Sequence, residues 1–172
     1  MHSPVVGRGS LVLVAAAAAC ACAAAAAADT PTLLVNQGIG AARMGESQVQ
    51  LALDYGSFCF HGCPGRVTIG EHGLTTVSYR VAGGELVIVL RFNRVAVLRT
   101  SSPRYRTAGG LGVGTRIPAT RSWNGFRAAA CADGSAVWTK GGRSVLTRLR
   151  VAHGVVVTVE LRLHGLPPPK TC

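Results

Sequence analysis

From about residue 75 onward, hydrophobic and polar positions alternate with a period of two. Val77, Tyr79 and Val81 are set against Thr76, Ser78 and Arg80, the signature of a strand with one covered face. Leu86 to Leu90 is wholly apolar, and after Arg91-Phe92-Asn93-Arg94 the run Val95 to Leu98 is apolar again. That pattern predicts a hairpin covered on both faces, in the interior of a sheet. Near the C-terminus Val155, Val157, Val159, Leu161 and Leu163 are expected to share one face, with Val156, Thr158, Glu160 and Arg162 on the other. A turn at Ala152-His153-Gly154 joins this strand to one that places Arg148 and Arg150 together. One side of the sheet is then apolar, while Arg148, Arg150, Glu160 and Arg162 form a candidate binding face on the other.

Before the strands, the spacing changes to a helical one. Ser47 with Gln50 makes a capping box, Leu51 and Tyr55 lie four apart on one face, and Gly56 is placed for the C-terminal cap. One helix of about nine residues is predicted. Ser101-Ser102-Pro103 breaks the strand pattern, and the glycines from Gly109 to Gly114 mark a boundary. Gly38-Ile39-Gly40 with Met44-Gly45 corresponds to Gly110-Leu111-Gly112 with Val113-Gly114, at an offset of about 70 residues. Pro118 limits any second helix to a turn. The expected fold class is α+β, with two tandem small units over residues 29–107 and 108–172, each a short helix or turn plus an antiparallel β-sheet.

The first 28 residues follow a different rule. Arg8 precedes an apolar run from Leu11 to Ala28, ending in small residues just before Asp29-Thr30-Pro31. A positive start, a short apolar stretch and a small-residue cleavage point form a signal peptide. The same run also admits lipid attachment at Cys20, after Ala18-Ala19, or a marginal membrane anchor poor in transfer energy because it is mostly alanine. Cleavage or lipidation implies export, to the medium or to the cell envelope. Loss of residues 1–28 removes Arg8 and no acid, lowering the net charge of +11 to +10. Such a domain attracts anions: an acidic protein surface, an anionic envelope polymer or lipid headgroups. Aromatics are few, and Tyr55, Phe58, Phe60, Tyr79, Phe92, Tyr105, Trp123, Phe126 and Trp138 are expected inside.

Outside the cell, cysteines become disulfides. Cys59, Cys63, Cys131 and Cys172 permit three pairings. Cys59 with Cys63 and Cys131 with Cys172 is the preferred set, since the second bridge restrains the tail Pro167-Pro168-Pro169-Lys170. Loop-closure entropy gives about 2 kcal/mol for the short bridge and about 4 kcal/mol for the long one. A zinc site from Cys59, His61, Cys63 and His72 lacks the second compact ligand pair that structural zinc uses. Gly110 to Thr115 does not open a long helix, as a phosphate-cradling loop must. Ser47, His72, His153 and Glu160 stand in no nucleophile-elbow context. Neither a catalytic site, a metal nor a cofactor is expected.

The stretch Gly38-Ile39-Gly40 through Met44-Gly45-Glu46-Ser47, then Leu51, Tyr55 and Gly56, is similar to the opening of the small helix-and-sheet domains of the β-lactamase inhibitory protein and of outer-membrane-assembly lipoproteins. Ser102-Pro103-Arg104-Tyr105-Arg106-Thr107 leading into Gly110 to Gly114 looks like the middle of secreted bacterial proteins with two such units. The resemblance implies a non-enzymatic exported binding module, inhibitor-like, that meets another exported protein over its sheet. The alternative is an envelope-associated structural protein held by charge to anionic polymer or lipid.

Overall fold

The computed structural model describes residues 32–59, 61–70 and 74–166. The leader with Cys20, together with Phe60, His72, Cys172 and the proline-rich tail, falls outside the described residues. A small antiparallel sheet comes first: β1 (Leu33–Leu34), β2 (Gly38–Ile39) and β3 (Ala42–Arg43). Helix α1 (Gln48–Tyr55) follows, then β4 (Phe58–Cys59), β5 (Gly65–Ile69), β6 (Thr75–Val81), β7 (Gly84–Arg91) and β8 (Arg94–Thr100). After a long connection come β9 (Ser122–Trp123), β10 (Phe126–Ala130), β11 (Ala136–Gly141), β12 (Val145–Ala152) and β13 (Val155–Leu163).

This architecture corrects the expected fold class. The strands from β4 onward form one ten-stranded sheet, in the order β4-β5-β6-β7-β8-β13-β12-β11-β10-β9. Two tandem helix-plus-sheet units are therefore absent. The joining ladder is β8 against β13, antiparallel, with Thr100 opposite Val159, Arg99 opposite Glu160 and Leu98 opposite Leu161. Both strands are covered by apolar residues on one face, so pairing them buries Leu98, Val159 and Leu161 completely and leaves neither strand as an exposed edge. All neighbours are antiparallel except β4 and β5. Among the described residues α1 is the single helix; the segment matching it in the second half runs as turns and isolated bridges around Pro118.

The repeated Gly motif nevertheless does one job twice. Gly45 N–H donates to Val95 O and Val95 N–H to Glu46 O; Gly114 N–H donates to Val156 O and Val156 N–H to Thr115 O. Val95 and Val156 each follow a two-residue turn with both residues at positive φ, Phe92-Asn93 (51° and 57°) and His153-Gly154 (51° and 74°). Such turns match the twist of a tight hairpin. In each hairpin the register then slips, between Val89 and Leu90 and between Arg150 and Val151, leaving Ala96 and Val157 as extra residues.

The second bulge corrects the expected facing of β13. Val156 is 1% exposed and packs in the core, whereas Val157 is 38% exposed. Beyond it the alternation predicted for Val159, Leu161, Glu160 and Arg162 resumes. Half of the expected capping box is seen: Ser47 Oγ accepts from Gln50 N–H, while the Gln50 side chain donates to Asp54 Oδ1 (3.0 Å), and Gly56 closes α1 at φ 84°. Leu51, fully buried, turns the helix onto the sheet with Val77, Leu86, Ile88 and Val95 beneath it in the same cluster.

The small sheet is tied down by hydrogen bonds. Asn36 N–H donates to Thr147 Oγ1 (2.9 Å), whose hydroxyl donates to Asn36 Oδ1 (2.6 Å). The Tyr55 hydroxyl accepts from Ala41 and Ala42 N–H and donates to Ile39 O (3.0 Å). Most aromatics are inside or half-buried as expected, with Phe126 and Trp138 deepest in the second half. Phe92 is a correction, being 86% exposed at the tip of the β7–β8 turn.

Candidate functional site

Strand register assembles the basic face. Arg148 stands opposite Glu160, Arg150 opposite Thr158, and Arg162 opposite Leu146 and Val97, so the four residues singled out by alternation do share one side of the sheet. The same ladders carry that side outward to Arg99 on β8, Arg80 on β6, Arg66 on β5 and Arg127 on β10. The face thus gathers nine arginines, Arg66, Arg80, Arg91, Arg94, Arg99, Arg127, Arg148, Arg150 and Arg162, against Glu85 and Glu160. Six of these arginines escape sequence reasoning as members of the face, because only the order of strands brings them together.

At the centre the charges are close and mostly shielded. Arg148 Nη1 lies 3.3 Å and Arg162 Nε 3.7 Å from Glu160 Oε1, and all three side chains are only 12–14% exposed. Arg162 Nε is buried and makes no hydrogen bond among the described residues. Burial pulls the Arg162 pKa below its ordinary value; Glu160 opposes that shift and Arg148 adds to it. Beside this group is a hollow of about 220 Å³. Its floor is Val87, Val89 and Val97, with Leu74 and Leu166 at the sides and Arg99, Glu160 and Arg162 along one edge.

The outer parts of the face are wetter. Arg150 Nη2 pairs with Asp133 Oδ2 at 2.8 Å, with both side chains about half exposed. Hydrogen bonds from Ser135 and the Arg150 guanidinium hold the Asp133 carboxyl below the usual carboxylate range. This pair is a surface contact and contributes little to stability. Arg66, Arg80, Arg99 and Arg127 are exposed.

The remaining sequence candidates lie elsewhere. Cys59 and Cys63 are joined in a disulfide with Cα atoms 5.6 Å apart, so neither sulfur is a free thiolate for zinc, and His61 is exposed beside them. Cys131 is also disulfide-bonded; its expected partner, Cys172, falls outside the described residues. The Gly110–Thr115 loop presents carbonyl groups, not amides, to its neighbour. Arg106 Nη1 donates to Gly110 O (3.0 Å) and Nη2 to Val113 O (3.2 Å). A loop that wraps a guanidinium in this way is unlike a phosphate cradle. Among the described residues no group of three or more His, Cys, Asp or Glu is placed to hold a metal, and no helix is long and apolar enough to cross a membrane.

No family model matches the chain, and neither does any curated protein. Solved structures do. An extracellular protein containing an SCP domain from Bacillus anthracis str. Ames aligns with a TM-score of 0.53 and 9% identity, over 70% of this chain and 44% of its own. A cysteine-rich secretory protein from Staphylococcus aureus subsp. aureus Mu50 aligns with a TM-score of 0.47 and 11% identity, over 70% and 43%. The chain spans less than half the length of either. At 9% identity the likeness to the Bacillus protein is one of fold.

Proposed function

We propose that this protein is an exported, non-enzymatic binding module whose basic sheet face contacts an acidic surface on another exported protein. The carrying observation is that nine arginines and only two glutamates occupy one face of a single sheet. A broad, rigid surface with a strong excess of positive charge steers anionic partners and fixes their orientation through bidentate guanidinium contacts. The half-shielded Arg148–Glu160–Arg162 group supplies a dry centre, and the exposed arginines around it supply a polar rim. The apolar leader supports export, as does the extracellular nature of the Bacillus protein that shares the fold. The resemblance of the Gly38–Gly56 stretch to partner-binding inhibitors supports the same reading.

The test replaces Arg80, Arg99, Arg127 and Arg150, all exposed, with Gln, and uses both proteins as bait in extracellular extract from the host. The wild type is expected to retain one acidic protein at fixed stoichiometry, released by moderate salt, and the variant to lose it. Equal retention by both overturns the proposal. Indiscriminate retention of anionic polymers, with no selected protein, replaces it by the envelope-held structural role.

A further inference from the structure

Five large apolar side chains stand well exposed among the described residues, and four of them gather at one end of the molecule: Phe92 (86%), Leu53 (74%), Val49 (72%) and Ile69 (70%). Register shows why they are neighbours. Ile69 is opposite Thr75, Thr75 opposite Leu90 and Leu90 opposite Val95, so Ile69 ends its strand at the same edge as the Arg91–Arg94 turn. Gln48 N–H donates to Asn93 O at 2.9 Å, which brings the first turn of α1 and Val49 to that turn, with Leu53 one helical turn behind on the same face. Val157, the fifth, lies beyond Thr100 along the β8–β13 ladder, toward the opposite end.

We infer that this end docks on an anionic lipid bilayer. Side chains 70–86% exposed cannot wall a groove; they project from convex ground, as interfacial anchors do. Arg91 and Arg94, both exposed, flank the aromatic tip, and the Arg91 guanidinium lies 5.1 Å from the Phe92 ring centre. An apolar tip flanked by two guanidinium groups matches the boundary between acyl chains and negatively charged headgroups. The backbone adds a second argument. Phe92 holds φ at 51°, a region favouring Gly, Asn or Asp; its ring contact among the described residues is the exposed Arg91 guanidinium, which compensates only weakly for that backbone. Contact outside the protein supplies the rest. Arg91 and Arg94 stand on the arginine side of the sheet, so the tip adjoins that face, and substitution of Phe92 tests the tip separately.

The test uses protein recovered from the exported fraction, so that every variant carries the leader in the same state. It measures co-sedimentation with vesicles of equal parts phosphatidylglycerol and phosphatidylcholine, and with phosphatidylcholine alone. Wild type is expected on the anionic vesicles and much less on the neutral ones. Phe92→Gly relieves the left-handed backbone and keeps the melting temperature at or above wild type, yet binds anionic vesicles about tenfold more weakly for want of the ring. Phe92→Trp binds as wild type, and Arg91→Gln with Arg94→Gln lowers binding and makes it less dependent on salt. The inference is overturned if Phe92→Gly binds vesicles as well as wild type. It is equally overturned if wild type ignores anionic vesicles while Phe92→Gly loses a protein partner, which makes the tip a protein contact. In the arginine-face variant Phe92→Gly should still lower binding to anionic vesicles about tenfold, whatever happens to the protein partner.

Discussion

Replacing Glu160 with Gln removes the only anion between Arg148 and Arg162 while keeping shape and one acceptor oxygen. At an effective dielectric constant near 20, contacts of 3.3 and 3.7 Å correspond to about 5 and about 4.5 kcal/mol of Coulomb attraction. Desolvation of three groups and repulsion between the arginines offset most of it. Breaking a fully buried pair costs about 3–5 kcal/mol, and these side chains keep 12–14% of their exposure, so a net loss of about 2 kcal/mol is expected. For a chain of this size that lowers the melting temperature by about 4–8 °C. Differential scanning calorimetry at low salt measures it. Adding Arg162→Leu, which meets Val87, Val89 and Val97 in the hollow, should restore much of the loss, because the buried guanidinium whose Nε has no hydrogen bond is removed. A melting temperature for Glu160→Gln within 1 °C of wild type, or a double variant less stable than either single one, would refute the idea that the centre of the face is dry.

Other consequences are as sharp. Thr147→Val keeps volume but deletes both hydrogen bonds to Asn36; a loss of about 2 kcal/mol in chemical denaturation is expected, and a neutral result means the small sheet is not anchored there. Reducing the Cys59–Cys63 bridge, whose sequence separation is 4, should cost no more than about 2 kcal/mol and leave partner capture intact; lost capture would place the arginine face within reach of that loop. Tyr79 and Tyr105 are pushed up to about 12 by burial, then by Tyr55. Their hydroxyls stay protonated when those of the unfolded chain have ionised, so stability from this source is full below pH 10 and falls between pH 10 and about 12. Burial raises Tyr55 as well, so absorbance titration should show all three tyrosines ionising late; three ordinary transitions near pH 10 would contradict their burial.

Local chemistry was well written in the sequence. Ser47, Gln50 and Gly56 mark the ends of α1 because capping depends on residues within one turn. The turn at Arg91–Arg94 and the alternation of Arg148, Arg150, Glu160 and Arg162 were legible for the same reason. Three adjacent valines, Val155, Val156 and Val157, hide a bulge: their side chains fit either face, so only the partner strand decides which is buried. Longer range was harder. Arg99 meets Glu160 through a ladder between strands about sixty residues apart, and no periodicity encodes which strands become neighbours. That pairing turns two expected units into one sheet, and it carries Arg66, Arg80, Arg99 and Arg127 onto the face seen only in part from sequence. Phe92 was misplaced because aromatic content predicts interior position on average, whereas a two-residue turn has no interior to offer.

The most direct test of the joined basic face is a titration of arginine Nε–H resonances with polyglutamate as a defined acidic probe. A single face spanning both halves predicts that Arg66, Arg80 and Arg99 shift together with Arg127 and Arg150, while Arg43 and Arg121 stay still. Shifts confined to one half, or spread evenly over all the exposed arginines, would contradict it.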